Sequence, residues 1–135
     1  FLWFDNQAAE AAQFYTTVFP NSQLVSINPM VSVFELEGLR ISAINGGPMF
    51  KLTEAFSFTI NCETQAEIDY YWEKLTEGGE ESMCGWLKDK FGLSWQVVPT
   101  ILAQLMNDPE KAPKAMKAFM KMKKFNIEEL TNAAK

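Results

Sequence analysis

The feature that most constrains this chain is an internal duplication. Glu10-Ala11-Ala12-Gln13-Phe14-Tyr15-Thr16-Thr17-Val18 lies over Glu67-Ile68-Asp69-Tyr70-Tyr71-Trp72-Glu73-Lys74-Leu75, matching a Glu, an aromatic pair and an aliphatic. Further along, Gly38-Leu39-Arg40-Ile41-Ser42-Ala43-Ile44 lies over Gly92-Leu93-Ser94-Trp95-Gln96-Val97-Val98 at nearly the same offset. Each copy reads strand, helix, three strands. In the first, 1–4 is a short aromatic strand, Asp5 or Asn6 caps an alanine-rich helix to about Phe19, and Pro20-Asn21-Ser22 turns the chain into strands near 23–27, 31–37 and 39–44. In the second, the alternating run 56–61 is a strand, and Thr64 with Glu67 forms a capping box. The helix they start ends at Gly78-Gly79, and strands follow near 81–86, 87–90 and 93–98. Neither copy can bury its sheet face alone, so the two are expected to pair. The expected fold is α+β: paired βαβββ modules forming a cupped mixed sheet with helices outside, plus a C-terminal helical extension. The expected single domain comprises module one over about 1–48, module two over about 54–98 and a tail over 99–135.

A chain of 135 residues with 47% hydrophobic side chains can bury one core without disulfide or metal staples. It contains no histidine and a single arginine, Arg40. Ser-His-Asp triads, zinc sites built on imidazole and haem held by a proximal His are therefore excluded, and acid–base work falls to Asp, Glu, Lys, Tyr or Cys. The net charge of −5 opposes nucleic-acid binding, which needs a basic stripe to neutralise phosphates. No apolar run approaches the ~18–20 residues of a membrane-spanning helix, and the chain opens without a basic leader, so a cytoplasmic protein is expected. Cys62 and Cys84 are then expected to be free thiols. Charge is unevenly spread: net −9 through Asp108 and net +4 beyond it. In that tail Asp108 and Pro109 are expected to start an Ala/Lys/Met-rich helix reaching about Lys124, before a last helix capped by Asn126. Met116, Phe119, Met120 and Lys123 share a face expected to pack on the domain or on a second subunit; an acidic body would oppose the alternative of an anionic membrane surface.

Alternation locates a candidate site. Trp95 and Val97 alternate with Ser94, Gln96 and Val98, and Phe56, Phe58 and Ile60 alternate with Ser57, Thr59 and Asn61. With the aromatic sides under the helices, Ser57, Thr59, Asn61, Ser94 and Gln96 point into the concavity, joined by Arg40 and Ser42 from the first copy. That face reads either as the wet side of a half-covered sheet or as a polar-lined small-molecule cleft, with Arg40 as its anion clamp. Phe14, Tyr15, Tyr70, Tyr71 and Trp72 read as helix-to-sheet core, Asp69 and Glu73 as a solvated face, and Lys88-Asp89-Lys90 as a charged hairpin rim. Cys84 has no local base and reads as an inert thiol.

Leu2-Trp3-Phe4-Asp5, Glu10-Ala11-Ala12-Gln13-Phe14-Tyr15, Ile44-Asn45-Gly46-Gly47-Pro48, Gly78-Gly79-Glu80, the run from Cys84 to Pro99, and Met120-Lys121-Met122-Lys123-Lys124 together resemble one family. It is the PhnB-like group, also labelled 3-demethylubiquinone-9 3-methyltransferase-like, of the glyoxalase/bleomycin-resistance/extradiol-dioxygenase (vicinal oxygen chelate) superfamily. The resemblance implies paired βαβββ modules and a homodimer, and it leaves the activity open among isomerases, dioxygenases and drug-sequestering proteins. It also implies where a divalent metal would sit, on the first and last strands of each module. Those positions fall near Leu2, Ser42, Ser57 and Gln96, of which only Gln96 is a plausible ligand. No metal residues and no cofactor are therefore assigned, and a weak divalent ion at Gln96 stays open. A methyltransferase would need a Gly-rich turn opening a helix, whereas Asn45-Gly46-Gly47-Pro48 reads as a loop between modules. Two functions remain. The favoured one is a small-molecule binding protein without a tightly held catalytic metal. The other is an enzyme, either a lyase or isomerase with a weakly bound divalent metal or the methyltransferase of the family label.

Overall fold

Each half of the chain opens with a strand whose partner lies farthest from it in the sequence of its own sheet. In a computed structural model describing residues 1–135, the chain divides into two compact units, Phe1–Glu54 and Ala55–Lys135. The first runs β1 (Leu2–Phe4), α1 (Ala8–Val18), β2 (Ser22–Ile27), β3 (Val31–Leu36) and β4 (Leu39–Asn45). The second runs β5 (Ser57–Cys62), α2 (Gln65–Thr76), β6 (Glu80–Glu81), β7 (Trp86–Lys88), β8 (Ser94–Pro99), α3 (Ile101–Met106), α4 (Ala112–Phe119) and α5 (Ile127–Ala133). The sheet orders are β1-β4-β3-β2 and β5-β8-β7-β6, with the opening strand parallel to the last in both. The duplication in the sequence is present as two mixed sheets with one connectivity, an α+β fold. A parallel first pair follows from the helix, which carries the chain back across the sheet before the hairpins are laid down.

In the first unit, Ala8, Ala11, Ala12, Tyr15 and Val18 are the buried face of α1. The three alanines let the helix approach the sheet closely, where Tyr15 meets Phe34 with ring centroids 5.9 Å apart. Asp5 or Asn6 is expected to cap this helix, and neither does. Its N-cap, Gln7, makes no side-chain bond, and Asn45 at the end of β4 supplies the missing acceptor: its Oδ1 accepts the Ala8 N–H at 2.8 Å. Parallel pairing of Phe4 with Asn45 is what brings that amide to the helix start. Its Nδ2 donates to Pro29 O at 3.0 Å, tying in the β2–β3 turn. The following glycine admits an indole: a Cβ on Gly46 would overlap the Trp3 ring, whose Nε1 donates to Gly47 O at 2.9 Å.

The second unit keeps the expected capping box. Thr64 Oγ1 accepts the Glu67 N–H at 3.2 Å, and α2 then buries Ile68, Tyr71, Trp72 and Leu75 at helical spacing against β5, β7 and β8. Tyr70, expected in the core, is exposed on the other side of that helix. Phe56, expected beneath it, lies just before β5 and is exposed, edge-on to Phe58. The strand expected over 81–86 is mostly a turn. Cys84 (φ 60°) and Gly85 (φ 82°) are consecutive left-handed residues, which no strand can contain, so only two residues remain in β6.

The tail departs from expectation for a tertiary reason. Asp108 caps no long helix; its Oδ1 accepts the N–H groups of Glu110 (2.9 Å) and Lys111 (3.3 Å) in a turn, and α4 starts only at Ala112. The helix stops near Phe119 rather than Lys124 because the next residues are bonded elsewhere. Met122 O and Lys123 O accept the N–H groups of Cys84 (2.7 Å) and Gly85 (2.8 Å), and Phe125 is buried beside Gly85. Gln65 of α2 completes the seam, donating to Phe125 O at 2.9 Å and accepting from Ile127 N at 2.8 Å, while Lys124 pairs with Asp69 at 2.8 Å. The Lys124 bond, with a second that Gln65 Nε2 donates to Asp69 Oδ1 at 3.0 Å, holds the Asp69 carboxyl below its ordinary value. The last helix is capped by Asn126, as expected. No helix is long and apolar enough to cross a membrane.

Candidate functional site

The site is built by register on the face of the second sheet opposite α2. Ser57 stands beside Ser94 and Thr59 beside Gln96 across the parallel β5–β8 pair; Trp86 stands beside Gln96 and Lys88 beside Ser94 across the antiparallel β7–β8 pair. Alternation sends Phe58, Cys62, Leu87, Trp95 and Val97 the other way, where the Phe58 and Trp95 rings meet at a tilt of 41° with centroids 5.4 Å apart. The two readings of the alternation meet in one bond: Gln96 Nε2 donates to Ser57 Oγ at 3.0 Å. That orients the amide, leaving Gln96 Oε1 as an acceptor and the Ser57 hydroxyl proton as a donor. Thr59 and Asn61 are exposed on the same face, and Trp86 and Lys88 are half-buried.

Ser94 occupies a different environment. It is buried at the start of β8, and its Oγ has no hydrogen-bond partner. Arg40 and Ser42 lie on the corresponding face of the first sheet, where Arg40 stands beside Glu35 and Ser42 beside Val33. Arg40 is paired: its Nη2 is 3.5 Å from Glu35 Oε2, and Gln23 Nε2 reaches the same carboxylate. An ion pair this exposed contributes under about 1 kcal/mol, so it orients the guanidinium more than it stabilises the fold.

Glu35, Trp86 and Lys88 join these faces without having been marked in the sequence. Glu35 was legible in principle as the residue facing Arg40 across the Glu37-Gly38 hairpin. Trp86 and Lys88 were not, because β7 is three residues long and follows a turn, giving no alternation to read.

The donor set does not fit a tightly held divalent metal. No three His, Cys, Asp or Glu side chains gather where they could hold one, and around Gln96 the oxygens are neutral amides and hydroxyls that supply neither charge nor a soft donor. The glycines at 46 and 47 do not fit a nucleotide-type cofactor either. They follow β4, pack on Trp3, and lead into Pro48 and a turn rather than a helix.

The two cysteines are free thiols of unequal character. Cys62 is buried at the end of β5, and burial, with a smaller contribution from the Glu67 charge, pushes its thiol up to about 11 from 9.0. A thiol whose folded pKa lies above its unfolded value stabilises the fold fully below the unfolded value, and that contribution is lost as pH rises through the folded one. The urea midpoint is thus expected to fall between pH 9 and pH 11, and to fall less in a Cys62→Ala variant compared over the same range. Identical pH profiles for the two proteins would exclude this role for Cys62.

Residues 1–98 match the family model described as 3-demethylubiquinone-9 3-methyltransferase, so α3, α4 and α5 lie outside the match. A solved PhnB protein from Bacillus cereus, carrying the same methyltransferase label, is 32% identical; the alignment covers 73% of this chain and 95% of that one with a TM-score of 0.69. The fosfomycin resistance protein FosX from Listeria monocytogenes, solved with Mn(II) and sulfate, is 16% identical over 77% of this chain and 90% of that one, with a TM-score of 0.58. A glyoxalase-related enzyme from Fulvimarina pelagi is 12% identical over 75% and 86%, with a TM-score of 0.54. At such identities the last two attest the fold alone. No curated protein matches the chain.

Proposed function

This chain belongs to the 3-demethylubiquinone-9 3-methyltransferase family, the PhnB-like group of the glyoxalase superfamily, and from that premise we propose that it binds a small molecule on the β5–β8–β7 face around Gln96. It does so without a tightly held catalytic metal. The observation that carries this reading is the Gln96–Ser57 bond, which fixes an acceptor and a donor beside each other on a face where Thr59 and Asn61 are exposed and Trp86 offers a flat apolar flank. Such a set recognises a neutral, hydrogen-bonding group attached to a planar or apolar body. On the first sheet's own face Arg40 and Ser42 are proposed as ligand-contacting residues, and in the second unit Ser94 as the buried support of the Ser57 position.

The test is a thermal-shift series with Mn, Fe(II), Co, Ni, Zn and Mg, with S-adenosylmethionine in parallel, followed by a small-molecule screen. Any ligand that binds only the native state raises the melting point by mass action. The expected result is no shift with metals or S-adenosylmethionine, and at least one screened compound whose affinity falls about tenfold or more in Gln96→Ala, the cost of one lost hydrogen bond to an oriented group. A transition-metal shift abolished by Gln96→Ala would overturn the reading in favour of metal-dependent catalysis, and a shift with S-adenosylmethionine in favour of methyl transfer.

The protein is further read as a cytoplasmic homodimer, and the support for self-association is the exposed Met116 and Met120 on α4. Light scattering that gives the monomer mass of 15.3 kDa throughout the micromolar range would reject the dimer.

A further inference from the structure

Two exposed helical stripes in the second unit have complementary chemistry. On α4, Ala115 is buried and Phe119 turns onto Phe125, with ring centroids 5.8 Å apart. That packing leaves Pro113, Met116, Lys117 and Met120 outward at i, i+3, i+4 and i+7, with Met116 46% and Met120 59% exposed and Lys114 and Lys121 exposed at the borders. On α2, the buried set Ile68, Tyr71, Trp72 and Leu75 leaves Ala66, Tyr70, Glu73 and Glu77 outward at i, i+4, i+7 and i+11, with Tyr70 39% exposed. One stripe has a thioether centre and a cationic border. The other has an aromatic centre bordered by Glu73 and Glu77, with Lys74 exposed on the turn beside Glu73.

We propose that α4 of one copy seats on α2 of a second copy, Met116 and Met120 against Tyr70 and Ala66, and Lys117 against Glu73 and Glu77. This rests on the dimer reading above and names its surfaces. A twofold axis makes the contact twice, since each copy carries both stripes. Thioether sulfur against an aromatic ring is a favourable apolar contact, and opposite charges on the borders set its register. Charge selects the second copy over an anionic membrane as the occupant. Residues 1–108 carry net −9, which lipid phosphates would repel, whereas that same acidity is what the net +4 tail meets on another copy.

Light scattering across a salt series tests this with Lys117→Glu, Glu73→Lys and the variant carrying both. All the changed positions are exposed on helix surfaces, so circular dichroism should show unaltered folds. The wild-type dimer is expected to weaken as salt rises, each single reversal to raise the dissociation constant roughly tenfold by opposing like charges, and the double reversal to recover most of that loss. A dimer indifferent to both reversals overturns this interface and leaves the dimer reading intact. A monomer at every concentration overturns both. Binding of the monomer to phosphatidylglycerol vesicles that Lys117→Glu abolishes would assign α4 to a membrane instead, and would also overturn the proposal.

Discussion

Asp89→Ala is expected to cost about 4 kcal/mol of folding free energy, far more than an exposed hairpin carboxylate could. Asp89 is 3% exposed and its two oxygens are fully committed. Oδ1 accepts the N–H groups of Phe91 at 2.9 Å and Leu93 at 3.1 Å, and Oδ2 accepts the Trp95 indole N–H at 2.9 Å. Leu93 and Trp95 are themselves buried, so truncation strands donors that water cannot reach. Each such group costs about 1–3 kcal/mol, which sets the sum. Asp89→Asn separates hydrogen bonding from shape. One oxygen remains for the backbone pair, but the amide nitrogen opposes the indole N–H donor to donor, so a loss of about 2 kcal/mol is expected. Urea unfolding followed by tryptophan fluorescence measures both. A loss below about 1 kcal/mol for the alanine variant would contradict the role given to Asp89. The same turn joins β7 to β8, with Asp89 N–H bonded to Leu93 O at 2.8 Å and Gly92 N–H to Asp89 O at 3.0 Å. Loosening it frees the register that stands Trp86 beside Gln96, so ligand affinity should fall with stability.

The second large effect is expected at Gly85→Ala, about 3–4 kcal/mol. Gly85 has φ +82°, a backbone state that costs an L-residue about 1–2 kcal/mol. A Cβ there would lie 2.6 Å from the Phe125 ring and 2.7 Å from Val97 O. The carbonyl belongs to β8 and cannot move far, so the ring must withdraw. Phe125 is 1% exposed, and losing its packing forfeits a further share of the ~3–5 kcal/mol that a buried Phe contributes. The consequence is local: the two bonds from Cys84 and Gly85 to Met122 and Lys123 are strained, and the tail should become sensitive to trypsin at its lysines before the rest of the chain. The double variant Gly85→Ala/Phe125→Ala should lose less than the sum of the singles, because one steric conflict is removed only once. Strict additivity would mean that the glycine and the ring act independently, contrary to their packing.

Much of the fold was legible where the signal is local. The Thr64–Glu67 box, the Asn126 cap and the burial of Tyr71 and Trp72 on α2 all depend on residues within a turn or two of each other, and the structure has them as read. The candidate face was legible for the same reason: alternation in β5 and β8 put Ser57 and Gln96 on one side before any distance was known. Asp89 read as a charged rim although the three donors it serves lie only a few residues on, because no periodic pattern marks a carboxylate folded back over its own turn. The other departures are long-range. Asp5 and Asn6 read as caps because the true acceptor, Asn45, is 37 residues from the N–H that it serves. The tail helix read too long because nothing near Met122 announces that its carbonyl will be claimed by Cys84.

The sequence by itself determined the duplication, the helix–strand order within each copy, the polarity of each strand face and the absence of imidazole chemistry, since periodicity and composition act through backbone geometry and side-chain type alone. Tertiary structure decided which polar groups are satisfied and by whom: Asn45 at the start of α1, Gln65 on the backbone of Phe125 and Ile127, and the tail carbonyls on the Cys84–Gly85 turn. A buried donor must find an acceptor somewhere in the folded chain, and where it finds one depends on which distant segments packing has brought together.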